Sequence, residues 1–78
     1  MENELTKKQF AKIVGENIAR IRSDSDPFLS QEKLAELVGI SRTYMGKIER
    51  GEKNISFYTM CKLLKVLNWD ASKFIDDI

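Results

Sequence analysis

The sequence predicts an all-α fold, a compact bundle of five short helices, on three observations. Apolar residues recur at helical spacing through most of the 78 residues. No stretch alternates apolar and polar residues as a half-buried strand does. Hydroxyl and acidic residues that cap helices, and glycines that end them, punctuate the chain at short intervals.

The elements follow in order. Thr6-Lys7-Lys8-Gln9 has the form of a capping box, with a hydroxyl three places before Gln. Phe10, Ile13, Val14, Ile18 and Ile21 then make one apolar stripe, which predicts the first helix. It ends near Ser23, because Ser23-Asp24-Ser25-Asp26-Pro27 is dense in residues that favour turns. Ser30 caps a short helix, Gln31–Val38, that Gly39 terminates. Ser41 caps the next, running to about Arg50 and closed by Gly51. Ser56 caps a fourth over 57–67, with Phe57, Met60, Leu63, Leu64 and Leu67 on one side, and Asn68 ends it. Asp70 caps a last short turn containing Phe74 and Ile75. Cys61, on or beside the apolar side of the fourth helix, is expected to be a small buried hydrophobe.

Composition narrows the function. A chain of this length is expected to be one domain over 1–78. Its core is small, so support from a disulfide, a metal or a second copy is anticipated. A single cysteine rules out a disulfide framework, and one Cys with no His cannot make a four-ligand zinc site. Self-association is the remaining support. With no His, one Cys expected to be buried and no nucleotide-binding loop, no catalytic constellation is visible, so neither an enzyme nor a cofactor is expected. No apolar run is long enough to cross a bilayer, and Met1-Glu2-Asn3-Glu4 lacks the character of a signal peptide, so the expected location is the cytoplasm. Net charge is only +1, so affinity for nucleic acid has to come from where the charges sit.

The informative segment is 31–50. Two helices joined by so short a turn cross steeply and bring their backbones close. Ala35 supplies the small side chain for that approach, and Gly39 a corner tolerant of positive φ. Leu34, Val38, Ile40, Met45 and Ile48 form the apolar seam. This is a helix-turn-helix. On its second helix, Arg42, Thr43, Gly46, Lys47 and Arg50 are assigned to the solvent face, opposite Met45 and Ile48. Such a face enters the major groove of double-stranded DNA with its N-terminal residues on the base edges. Arg42, Thr43 and Lys47 are therefore the candidate base contacts. Gln31, at the start of the first motif helix, and Lys53, Asn54 and Ser56, ahead of the fourth, stand where helix N-termini bind phosphate; Tyr44 and Arg50 flank the reading face. Glu49 lies beside the seam and is costly to bury alone, which calls for a cation. Arg22, near the end of the first helix, is the candidate partner. Trp69, Phe74, Ile75 and Ile78 concentrate apolar surface in the C-terminal part, 57–78, and part of this set is assigned to a dimer interface, the alternative being that all four close the core of the single chain.

Ser30-Gln31-Glu32-Lys33-Leu34-Ala35 followed by Gly39-Ile40-Ser41-Arg42-Thr43-Tyr44 resembles the phage-repressor and Cro type of helix-turn-helix. The continuation Ile48-Glu49-Arg50-Gly51-Glu52-Lys53-Asn54-Ile55-Ser56 resembles the controller proteins of restriction–modification systems. The resemblance implies a repressor-like, five-helix homodimer on a pseudo-palindromic operator, with Arg42 and Thr43 on bases and Gln31 on a phosphate. Chain length and the lack of a long apolar run predict no small-molecule ligand and no membrane partner. An antitoxin or a phage-type repressor would share the fold. The linker over 23–29 is longer than is usual in such proteins.

Overall fold

The computed structural model of the chain describes residues 5–70, which form four helices: α1 (Lys7–Ser23), α2 (Gln31–Val38), α3 (Arg42–Glu49) and α4 (Phe57–Val66). No strand occurs among the described residues. The expected fifth helical turn, with Phe74 and Ile75, lies outside them.

Local chemistry sets the boundaries. Each helix begins at a hydroxyl cap whose oxygen accepts from the third backbone N–H of the helix: Thr6 from Gln9, Ser30 from Lys33, Ser41 from Tyr44 and Ser56 from Thr59. At α1 the box is complete, since the Thr6 N–H donates back to Gln9 Oε1 at 2.9 Å. Three helices close in the same way, with a left-handed residue after the last turn and a backbone bond reaching five residues back. Ile40 N–H donates to Ala35 O (3.0 Å) past Gly39, Glu52 to Lys47 O (2.9 Å) past Gly51, and Trp69 to Leu64 O (2.9 Å) past Asn68. Gly39 and Gly51 carry φ of 83° and 77°, where a Cβ is penalised, and Asn68, at 50°, is a side chain that tolerates the region. The Asp26–Pro27 peptide in the α1–α2 connection is cis.

The core lies where α1 and α2 pack on α3 and α4 packs on α2. Ile18, Leu34, Met45, Ile48 and Leu63 are fully buried, with Val14, Ala35, Val38 and Leu67 around them. Two glycines set how closely α1 lies on α3. A Cβ on Gly15 would fall 2.2 Å from Ile48 O, and one on Gly51 would fall 2.7 Å from Lys12 Cα. The backbones touch directly.

Four expectations are corrected. Cys61 is exposed, not buried. At 100° per residue it stands about 160° round α4 from Leu63, the centre of the buried stripe. Phe57 is 84% exposed for the same reason: it lies about 120° from Leu63 and occupies the first turn, before the helix reaches the core. Phe10 is at the margin of the α1 stripe, more than a third exposed, because the buried side of α1 centres on Ala11, Val14 and Ile18. Gly46 was placed on the solvent face but is buried, covered by two neighbouring side chains described below.

Candidate nucleic-acid interface

The arrangement of α3 begins with a carboxylate. Glu49 ends the helix with its side chain only 6% exposed. Arg22 of α1 meets it with two parallel bonds, Nε to Oε2 at 2.7 Å and Nη2 to Oε1 at 3.0 Å, a bidentate geometry that fixes orientation as well as distance. The third nitrogen, Nη1, donates to Leu29 O at 3.1 Å and so ties the linker into the same knot. Gln31 Nε2 donates to Glu49 Oε1 at 3.1 Å. One carboxylate therefore joins α1, the linker, the start of α2 and the end of α3.

On the outer side of α3, Arg42 and Thr43 are exposed at the N-terminal end and Arg50 at the C-terminal end, while Lys47 is half-buried. Gln31, Arg42, Thr43, Gly46 and Arg50 line a shallow depression of about 270 Å³ on this side. Gly46 forms its floor. A Cβ there would lie 3.0 Å from Arg50 Nη1 and 3.7 Å from Gln31 Oε1, so the arginine folds back over the missing side chain. Long helical side chains lean toward the N-terminus, which carries Arg50 over the position four residues earlier. Gly46→Ala is expected to raise thermal stability, by up to about 1 kcal/mol from helix propensity. It is expected to weaken DNA binding by displacing Arg50; melting and titration of the same variant check both signs.

Arg50 also bonds Glu52, Nε to Oε2 at 2.6 Å, between two exposed side chains. The hydrogen bond to Arg50 holds the Glu52 carboxyl below its usual range, and Glu52 raises the guanidinium in return. Lys53 and Asn54 are exposed in the α3–α4 loop. The Ser56 hydroxyl is already engaged, accepting from Thr59 N–H and donating to Thr59 Oγ1, both at 3.1 Å. Tyr44 packs partly against the core. Trp69 does the same, and Phe74, Ile75 and Ile78 lie outside the described residues. The structure thus brings Gln31, Arg42, Thr43 and Arg50 together around one depression, leaves Lys53 and Asn54 on the adjoining loop, and gives Gln31 and Ser56 structural partners as well.

One contributor escapes sequence reasoning altogether. Lys62 of α4 donates from Nζ to Val38 O at 3.1 Å, and its ammonium lies 4.3 Å from the centroid of the Tyr58 ring. A cation on the last carbonyl of α2 opposes the negative end of that helix and fastens α4 to the motif's corner. No helical spacing announces it, because the partners are 24 residues apart.

No helix among the described residues is long and apolar enough to cross a membrane, and none of their His, Cys, Asp or Glu side chains cluster as metal ligands.

A helix-turn-helix family model matches residues 29–74. Control protein C.SmaI of Serratia marcescens is 41% identical over 64 residues, 82% of this chain and 74% of that protein. Control protein C.BamHI of Bacillus amyloliquefaciens is 36% identical over 64 residues, 82% of this chain and 78% of that one. The crystal structure of the restriction-modification controller protein C.AhdI from Aeromonas hydrophila superposes with a TM-score of 0.71 at 33% identity, covering 82% of this chain and 94% of its own. The clp gene regulator ClgR from Corynebacterium glutamicum shares the fold, with a TM-score of 0.78 at 21% identity over 86% of this chain and 69% of that one. The chain belongs to the helix-turn-helix family of DNA-binding regulators, and within it resembles the control proteins of restriction–modification systems.

Proposed function

We propose that the chain is a sequence-specific transcriptional regulator, acting in the cytoplasm as a homodimer on a pseudo-palindromic operator, and that it is the controller protein of a restriction–modification system. The observation that carries this reading is the exposure of Arg42 and Thr43 at the N-terminal end of an α3 whose opposite side is locked by the Arg22–Glu49 pair and the core. A helix held in this way can enter the major groove without reorganising. Similarity to three control proteins supports the subtype. The operator then lies upstream of the regulator's own gene and that of a restriction endonuclease. The role is regulatory rather than enzymatic and needs no cofactor or small-molecule ligand.

In this reading Arg42, Thr43 and Lys47 contact bases, the arginine donating twice to guanine O6 and N7. Gln31, Tyr44, Arg50, Lys53, Asn54 and Ser56 contact phosphates, fixing register without reading sequence. Trp69, Phe74, Ile75 and Ile78 supply the dimer interface and place the two α3 helices about 34 Å apart, one turn of DNA.

Selection of duplexes from a randomised pool, followed by footprinting, tests the proposal. The expected product is a pair of half-sites about one turn apart. Arg42→Ala is expected to lose about 1–3 kcal/mol and relax preference at one position in each half-site. Lys53→Ala should weaken every sequence alike and flatten the salt dependence. Equal losses from both substitutions on all sequences would overturn the assignment of base and phosphate roles, and a pool that yields no enriched duplex would overturn the regulator itself.

A further inference from the structure

We propose that Lys7, Lys8 and Lys12 of α1, together with Arg50 and Asn54, form a cleft that holds the phosphodiester backbone of the DNA at the edge of the groove that α3 enters. The cleft has a volume of about 550 Å³, and among the described residues its only acidic lining residue is Glu52. The proposal rests on the DNA-binding reading above and extends it to an element, α1, to which that reading gives only a structural part.

Three observations converge on it. The first is charge placement. The whole chain carries only +1, yet this cleft gathers four cations against one carboxylate, so the rest of the molecule is net negative. Attraction for a polyanion is concentrated here. Glu52 neutralises only Arg50, and none of the three lysines has an ion-pair partner among the described residues.

The second is that the lysines break the rules of their own helix. Lys7 and Lys8 stand in the first turn of α1, which contains no acidic residue, where the positive end of the helix dipole disfavours cations. Lys8 and Lys12 are four apart, a spacing at which like charges repel across one turn. Three local penalties without a compensating contact among the described residues are explained by an anion that arrives from outside. A string of phosphates answers all three.

The third is continuity. Arg50 lines both this cleft and the depression bounded by Arg42 and Thr43. The close approach of Gly51 to Lys12 brings α1 against the C-terminal turn of α3, so the lysines border the DNA-reading side. A separate small anion would not require that continuity; a DNA strand leaving the groove does.

The test is the triple variant Lys7→Gln, Lys8→Gln, Lys12→Gln. All three side chains are exposed and Gln is a good helix former, so the fold should persist, which a thermal melt verifies. Binding is measured across salt concentrations on a duplex selected by the wild type and on a random-sequence duplex. Each lost phosphate contact removes about 0.9 from the log–log salt slope, so two to three contacts per protomer, twice that per bound dimer, make the wild type lose about 150- to 1,800-fold more affinity than the variant between 50 and 200 mM salt. Both duplexes should be affected alike, base preference should stay unchanged, and the Lys→Arg triple should restore the slope. A variant that melts normally and keeps the wild-type slope overturns the cleft, as does loss confined to one sequence. If Arg42→Ala meanwhile loses base preference, the regulator reading stands and only the cleft falls. If the wild type binds neither duplex, both fall together.

Discussion

Arg22→Ala is expected to lower stability by about 3–5 kcal/mol, because it strands a buried carboxylate without its cation. The Glu49 side chain is 6% exposed and keeps only the Gln31 amide as a partner once the guanidinium is gone. A domain of this size has roughly 4–12 kcal/mol in all, so the loss is a large part of the total. Glu49→Ala should cost a similar amount by leaving Arg22, itself 13% exposed, unpaired. The double replacement Arg22→Met, Glu49→Leu should recover much of the stability, since apolar residues of similar volume often substitute for a buried ion pair without loss. Chemical denaturation of the wild type, the two alanine variants and their Arg22→Ala, Glu49→Ala combination gives the coupling energy directly. The same variants should lose affinity for DNA even where they remain folded, because the pair also ties Leu29 and Gln31 to the end of α3. If both single variants unfold at the wild-type denaturant concentration, the pair has no structural part.

Gly15→Ala is also expected to destabilise, although it is the smallest possible change. The new methyl would have to occupy a point 2.2 Å from Ile48 O and 2.8 Å from Glu49 O. Those atoms are backbone and cannot rotate aside. α1 must lift off α3, which opens the core cluster to which Ile18, Met45 and Ile48 belong. Overpacking usually costs about 1–3 kcal/mol and more where no side chain can yield. The gain in helix propensity, about 1 kcal/mol, works in the opposite direction and is overwhelmed. Gly46→Ala is the control, since there the neighbour is the end of a flexible arginine. A Gly15→Ala protein that melts at or above the wild-type temperature would show that α1 does not rest backbone-on-backbone against α3.

These two glycines show where the sequence is legible and where it is not. Helix starts could be read because capping is a contact between residues three apart: Thr6 with Gln9, Ser30 with Lys33, Ser41 with Tyr44. Gly39 could be read because a corner needs positive φ, whatever packs around it. The need of Glu49 for a cation followed from its place beside the Met45–Ile48 seam. Gly15 could not be read, because its reason is a carbonyl 33 positions away, set by the distance between two helix axes. Lys62 on Val38 O belongs to the same class. Cys61 and Phe57 differ on a subtler point: the buried side of α4 is narrower than its apolar stripe, and positions about 160° and 120° from Leu63 face solvent. Lys7, Lys8 and Lys12 look like a solvated helix end until Gly51 brings Arg50 beside them.

The shortness of α3 has a consequence for control. Eight residues make about 12 Å of helix, below the 12–15 residues that persist alone in water. The surface that meets DNA therefore exists only while Met45 and Ile48 are seated in the core. No unfolded or clipped chain retains a fraction of the reading function, so in the proposed role heat and proteolysis silence the protein completely, and no separate off-conformation has to be built.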